Sequence, residues 1–376
     1  MKSPPRLTYV VPSMQVGGTE VQVLHLLRAF TNEFEVTLIC TNTEGALIGD
    51  ARRSGAYVRV LKLHGGWDPR QQLRMAHALR VHTPHILHTF LSGFDLWANR
   101  AARKVGVPVI ISSRRELAHW QKKRHRLVQR LANRHADLIV ANSEAVADYA
   151  AQRENTPRAR YRVIYNGIDA EGMSTSVSRE QTMRRFRIPQ DSCVVGMVAN
   201  FSPVKDHRLF MDMADLLLKR RSDVHFLLVG GGPLLDQIAR LANRRGQAER
   251  FNRTSALGEM PELYGVMDVA VLTSKVEGFP NALAEAMAAG KPVVAPAVGG
   301  IPELVEHERT GILLAERTPQ AFADAVERLL DAPGERARLG SAGARWVRET
   351  LPLRRMIDEH RALYHELLQR KCPPGR

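Results

Sequence analysis

Cysteine is scarce in this 376-residue sequence: Cys40, Cys193 and Cys372 are scattered, odd in number and without metal-ligand spacing. That argues against a disulfide framework and a zinc site, and points to a reducing compartment, the cytosol. Aromatic residues make up only 6% of the chain. Such poverty disfavours an all-β sandwich and suits helices packed on parallel strands. Long apolar runs are missing too. No stretch approaches the ~18 residues that span a bilayer. The first run, Leu7–Val11, is too short for a signal-peptide core. The expected protein is soluble and cytoplasmic, at most peripheral on the inner face of the cell membrane.

What is present is an ordinary globular mixture, 44% hydrophobic and 25% charged. At ~100–200 residues per domain, the length implies about two domains. The net charge of +15 is uneven. Residues 1–180 hold 26 Lys and Arg against 15 Asp and Glu, whereas the remainder holds 28 against 24. Residues 100–134 alone carry eleven basic side chains and one acid, Glu116. A basic N-terminal face implies an anionic partner.

Short, nearly continuous apolar runs alternate with helical patterns. Leu7–Val11, Phe34–Cys40, Val58–Leu63, His85–Phe90, Val107–Ser112, Leu138–Ala141 and Tyr161–Tyr165 read as strands covered on both faces. Glu20–Phe30, Arg70–Arg80 and Leu117–Arg134 read as helices between them. After a polar stretch, Asp169–Asp191, the grammar restarts with strands at Val194–Ala199, His225–Gly230, Val269–Thr273, Val293–Ala297 and Gly311–Leu314. The fold class expected is α/β: two Rossmann-like, doubly wound parallel-sheet domains, 1–175 and 190–352, facing a central cleft. The amphipathic helix 353–370 is expected to pack back on the first.

The richest segment is Glu277-Gly278-Phe279-Pro280-Asn281, which leads into a helix carrying Glu285. Gly278 lets the backbone approach a ligand, and Asn281 is a candidate helix cap. A helix N-terminus attracts a phosphate. Two carboxylates at different depths suit two hydroxyl-bearing groups of one ligand. A helix otherwise reading Ala-Leu-Ala-Ala-Met-Ala-Ala is expected to be buried, so Glu285 needs a partner.

This run resembles the E-x7-E motif of the retaining glycosyltransferase family 4, which has the GT-B fold. Gly17-Gly18-Thr19-Glu20, Val163–Asp169, Gly230-Gly231-Gly232-Pro233 and Gly299-Gly300-Ile301-Pro302-Glu303 resemble its other motifs, in order. The resemblance implies that Glu277 bonds the donor sugar and Glu285 the ribose. It implies that Gly278, Phe279 and Pro280 support sugar and phosphate through their backbone, with Asn281 and Gly230 beside the donor. Gly17 and Gly18 leave room for the diphosphate. Lys205 would neutralise the leaving pyrophosphate. The family's usual Arg, five positions earlier, is here Asn200, so Lys205 acts with helix dipoles or another cation, Arg114 or Arg208, substitutes. His88, at a strand end facing the cleft edge, and Arg114, as an anion binder, complete the expected set with catalytic roles.

No Asp-x-Asp triplet occurs, so the usual metal–diphosphate clamp lacks ligands and metal-independent chemistry without a cofactor is expected. The nucleotide-diphosphate sugar is a substrate. The resemblance implies retention of configuration and a glycan or lipid-linked acceptor in cell-surface polysaccharide or glycolipid synthesis. Residues 100–134, with Trp120 and Leu127 interleaved, form a candidate surface for anionic membrane. A degenerate, non-catalytic binding homologue stays open because Asn200 stands at the usual Arg position, and so do two further alternatives. One is a nucleotide-sugar epimerase of the same fold. The other is a basic nucleic-acid-binding protein, although no nucleic-acid partner is expected because no known binding motif accompanies the charge.

Overall fold

The computed structural model describes residues 4–63, 69–90, 95–118, 122–255 and 257–373. It divides into two compact units, Met1–Gly167 with Arg354–Arg376, and Ile168–Leu353.

The first unit is built on strands β1 (Arg6–Val11), β2 (Glu35–Cys40), β3 (Tyr57–Val60), β4 (Ile86–Thr89), β5 (Val109–Arg114), β6 (Leu138–Ala141) and β7 (Tyr161–Val163). They form one parallel sheet in the order β3-β2-β1-β4-β5-β6-β7. The second unit has β8 (Cys193–Val198), β9 (Val224–Val229), β10 (Phe251–Thr254), β11 (Val269–Val271), β12 (Val293–Pro296) and β13 (Ile312–Leu314). Its parallel order is β10-β9-β8-β11-β12-β13. The central strands are apolar on both faces because helices cover both faces. Leu7, Tyr9, Val10, Val194, Val195, Phe226 and Val294 have no exposed surface.

Both sheets run outward from a central strand in one direction, then restart beside it in the other. Such a reversal opens a crevice at the carboxyl ends of two adjacent strands. In the first sheet these are β1 and β4; in the second, β8 and β11.

The polar stretch Asp169–Asp191, where the sequence reading places no element, carries the helix Arg179–Arg185, started by a capping box between Ser178 and Gln181 and packed on the helix Met260–Val266, so it belongs to the second unit. The basic helix is Lys123–Asn133, and Leu117 and Ala118 lie outside it. Trp120 lies outside the described residues. The polar edge strand β10 and the long helix Pro333–Thr350 have no counterpart in the sequence reading.

The last helix, Leu353–Lys371, crosses into the first unit. It buries Met356, His360, Leu363, Tyr364 and Leu367 there. Each fully buried Leu or Met side chain contributes about 1.5–3 kcal/mol. Arg361 pairs with Glu33 at 2.8 Å and Lys371 with Asp137 at 2.9 Å along its flanks. Both pairs keep at least one partner open to solvent, which limits what they add to stability.

Candidate active site

In the second unit, the turn after β8 and the loop after β11 meet beside the point of sheet reversal. Asn200 opens the first turn and is exposed. The backbone closes back on itself, Ser202 N–H donating to the Asn200 carbonyl at 2.7 Å and Lys205 N–H to that of Ser202 at 3.1 Å. Gly230 holds this turn from the side. At φ 142° it adopts backbone that L side chains rarely adopt, and a Cβ there would sit 2.3 Å from the Ala199 carbonyl oxygen. Gly230 therefore serves packing of the turn.

Lys205 Nζ donates to Glu277 Oε1 at 2.5 Å. Glu277 is 7% exposed. Its same oxygen accepts from the Ser274 hydroxyl, and its carbonyl accepts the Gly300 N–H at 3.1 Å. A buried carboxylate needs such partners, and losing one would leave a costly charge. The Glu277 loop is thus tied both to Lys205 and to the Gly299–Gly300 turn. Ser274 was missed in the sequence because a lone serine carries no signal.

Beneath Lys205, the His207 ring stacks on Phe201, centroids 4.1 Å apart and planes at 18°. Burial, assisted by the Lys205 charge, lowers its pKa to about 4. The imidazole is therefore neutral, and its charge does not compete with that of Lys205 near pH 7.

Gly278, Phe279 and Pro280 lead into the helix Asn281–Ala288. Pro280 occupies the cap position and makes no side-chain cap, so Asn281 is the first helical residue and not the expected cap. One turn on, Glu285 accepts from the Tyr264 hydroxyl at 3.0 Å. Burial raises its carboxyl pKa, with the Tyr264 bond opposing. Tyr264 is the partner that a Glu on an apolar helix required, and no spacing in the sequence linked the two.

In the first unit, Gly17 and Gly18 open the helix Gly18–Phe30 directly after β1 and its short loop. A Cβ at Gly17 would lie 2.5 Å from a Glu20 carboxylate oxygen, so that turn is already close to a carboxylate. His88 does not face open space. It is fully buried, with Nδ1 2.8 Å from the Tyr364 hydroxyl and Nε2 2.8 Å from the Ser113 hydroxyl. Burial, with His360 and Arg115 adding, holds it well below the usual histidine range.

Arg114 is also corrected. It points into the interior, bonding Glu154 at 2.8 Å, Asp95 at 2.9 Å and Asn133 at 2.8 Å. Burial disfavours its charge, but Glu154 and Asp95 outweigh that and hold the guanidinium protonated. Its donors are spent on the core. The neighbouring Arg115 is the more open cation. It bonds Asn166, lies 5.8 Å over the Phe90 ring, and is pulled to about 10 by burial against the opposing charge of Glu20. Of the other candidate, Arg208 is exposed on its helix.

Among the described residues, no three His, Cys, Asp or Glu side chains are grouped as metal ligands. Among them, too, no helix is long and apolar enough to cross a membrane.

The sequence pattern described as glycosyl transferases group 1 matches residues 178–346, and that of glycosyltransferase family 4 matches 16–171. D-inositol 3-phosphate glycosyltransferase of Actinosynnema mirum is 28% identical over 355 residues, 87% of this chain and 79% of its own. Alpha-D-kanosaminyltransferase of Streptomyces kanamyceticus is 26% identical over 93% of this chain and 92% of its own. A GDP-mannose-dependent phosphatidylinositol monomannoside mannosyltransferase of Mycobacterium tuberculosis is 29% identical, but over only 51% of this chain and 52% of its own. HepE of Anabaena, solved with UDP-glucose, has a similar fold at TM-score 0.86 and 22% identity, over 96% of this chain and 99% of its own.

Proposed function

Because the chain belongs to the group 1 glycosyltransferases of family 4 and has their GT-B fold, we propose that it moves a hexosyl unit from a UDP- or GDP-sugar to a glycan or lipid-linked acceptor with retention of configuration. The observation that carries this reading is the Lys205–Glu277 pair at the reversal of the second sheet.

Cleaving the bond between the sugar's anomeric carbon and the phosphate oxygen builds negative charge on the departing diphosphate. In this reading Lys205 receives that charge, moving its ammonium from Glu277 to the phosphate. Glu277, released, bonds the donor sugar. Glu285 holds the ribose hydroxyls, with Tyr264 fixing its carboxylate. The backbone at Gly278, Phe279 and Pro280 supports the diphosphate. Asn200 contributes a neutral side chain where a second cation would strengthen the hold. Side-chain charge then does the work of a metal clamp. His88 and Arg114 drop out of the proposed machinery, their polar atoms being committed to the interior.

The names of the relatives support an anionic acceptor, since two act on inositol phosphate or phosphatidylinositol compounds. They favour transfer over the epimerase and nucleic-acid readings. The first unit carries a surface that suits such an acceptor. The helices Pro69–His82, Asp95–Lys104 and Lys123–Asn133 pack side by side. They expose Arg74, Arg80, Arg100, Lys104, Lys123, Arg124 and Arg130 together with Leu73 and Leu127. We assign this face to anionic lipid, where each basic side chain contributes about 1 kcal/mol.

The test is binding of UDP and GDP by calorimetry, followed by transfer assays on Lys205→Ala and Glu277→Ala. Loss of about 10²–10³ in rate is expected from each. Two folded variants that keep the full rate would sink the assignment.

A further inference from the structure

Lys205 and Glu277 come from different loops, and something must hold those loops in register. Thr273 Oγ1 lies 2.9 Å from the Lys205 carbonyl and 3.0 Å from that of Asp206. Lys275 N–H donates to the Val204 carbonyl at 2.8 Å. These bonds tie the two loops together at Thr273 and Lys275.

Arg317 adds a further tie. It follows β13, far along the chain from both loops, and its guanidinium reaches three groups. Nη2 donates to Asp206 Oδ2 at 2.7 Å and to the Thr273 carbonyl at 3.1 Å, and Nε donates to the Ser274 carbonyl at 3.1 Å. Asp206 is the residue after Lys205. Ser274 is the residue whose hydroxyl bonds Glu277. One planar fork therefore grips the residue after Lys205 and the backbone carbonyls of Thr273 and Ser274 at the start of the Glu277 loop, which a point charge such as Lys could not do with the same geometry.

Asp206 makes the grip informative. It sits at φ 52° and ψ 51°, left-handed backbone that costs a non-glycine residue free energy. This conformation turns the chain from the Lys205 bend into the helix His207–Arg220. The ion pair to Arg317 is half-buried, with the two side chains 26% and 18% exposed, so solvent screens it less than a surface pair. Lys275 adds only a longer contact to the same carboxylate, 3.7 Å.

We propose that Arg317 is a positioning residue, which through Asp206 and Ser274 holds the Lys205 ammonium on Glu277. The inference rests on the reading of that pair as the donor site. Displacing a charged group by about 1 Å can cost about 10²-fold in rate, so the clamp acts on turnover more than on folding.

The experiment compares Arg317→Gln and Arg317→Lys with Glu277→Gln and with a surface control, Arg309→Gln. Lysines are reductively methylated with ¹³C, and the Lys205 signal is assigned by its absence in Lys205→Arg. Melting temperature, UDP and GDP affinity, and kcat and KM are measured alongside. Arg317→Gln should shift the Lys205 signal in the same direction as Glu277→Gln, with melting close to wild type. Its nucleotide affinity should fall about 10-fold and kcat about 10²-fold, and Arg317→Lys should recover part of both. An unmoved Lys205 signal in a folded Arg317→Gln protein overturns the proposal. A signal shifted in Arg317→Gln, while wild type binds neither UDP nor GDP, upholds the clamp and refutes the donor-site reading instead.

Discussion

His88 and Tyr364 share a 2.8 Å hydrogen bond across 276 positions of sequence. The Tyr364 hydroxyl also lies 3.1 Å from that of Tyr9, so the last helix is stitched by polar bonds into the centre of the first unit. Tyr364→Phe keeps the ring and deletes the hydroxyl. His88 Nδ1 and Tyr9 then lose a buried partner, which costs about 1–3 kcal/mol. Urea denaturation should record this loss, while kcat with the true acceptor stays near wild type. A large fall in kcat without loss of stability would return His88 to the catalytic machinery.

Arg114 and Arg115 are adjacent and should behave oppositely. Arg114→Met strands Asp95 and Glu154 in the interior, and breaking a buried pair costs about 3–5 kcal/mol. The deficit should appear in denaturation curves. Arg115 bonds fewer partners, and Arg115→Met should be the milder change in stability. If Arg114→Met melts like wild type and loses only substrate affinity, its anion-binding role is restored.

Acid should destabilise both units through buried histidines, among them His360 and His88 in the first and His207 in the second. His360 in the first unit and His207 in the second are both lowered to about 4, burial being the main cause in each. The unfolded chain takes up these protons near pH 6.5, the folded chain only near pH 4. Their contribution is complete above about pH 6.5 and is lost as pH falls toward about 4, by up to about 1.4 kcal/mol per pH unit for each. Glu20 and Glu285, whose carboxyls burial raises, act with the opposite sign. Comparing variant with wild type isolates the histidines. His207→Leu and His360→Leu should each flatten the dependence of unfolding free energy on pH between 6.5 and 4. An unchanged slope refutes the assignment.

The basic helices should bind vesicles containing anionic lipid and release them as salt rises. In flotation, a Lys123→Glu, Arg124→Glu, Arg130→Glu variant should stay with the soluble fraction. Equal flotation with neutral vesicles at low salt would remove the membrane surface from the proposal.

The elements that were legible in the sequence are those in which one physical demand dominates. β6, at Leu138–Ala141, was read to the residue because a strand covered on both faces must be apolar throughout. β10 was invisible because, as an edge strand with Arg253 exposed, it has no such demand. The helix Pro333–Thr350 was hidden by Gly340 and Gly343, poor helix formers placed there for another reason: a Cβ at Gly340 would lie 2.1 Å from the Gly290 carbonyl oxygen. At the site, the motif around Glu277 was readable from its glycine, proline and carboxylates. Arg114, the last residue of β5, turns its guanidinium to Glu154 and Asp95 in the interior, and its place after an apolar run did not reveal that. Partners such as Tyr264 and Arg317 lie far along the chain from the groups they hold, and local pattern does not encode that distance.

The chain leaves the first unit after Gly167 and returns to it at Arg354. During synthesis, therefore, the earliest-made sheet waits longest for completion. The whole of the second unit emerges from the ribosome before the closing helix of the first has been made. Until that helix arrives, Tyr9 and His88 lack their tyrosine partner, and the half-built first unit is the species that chaperones would have to hold.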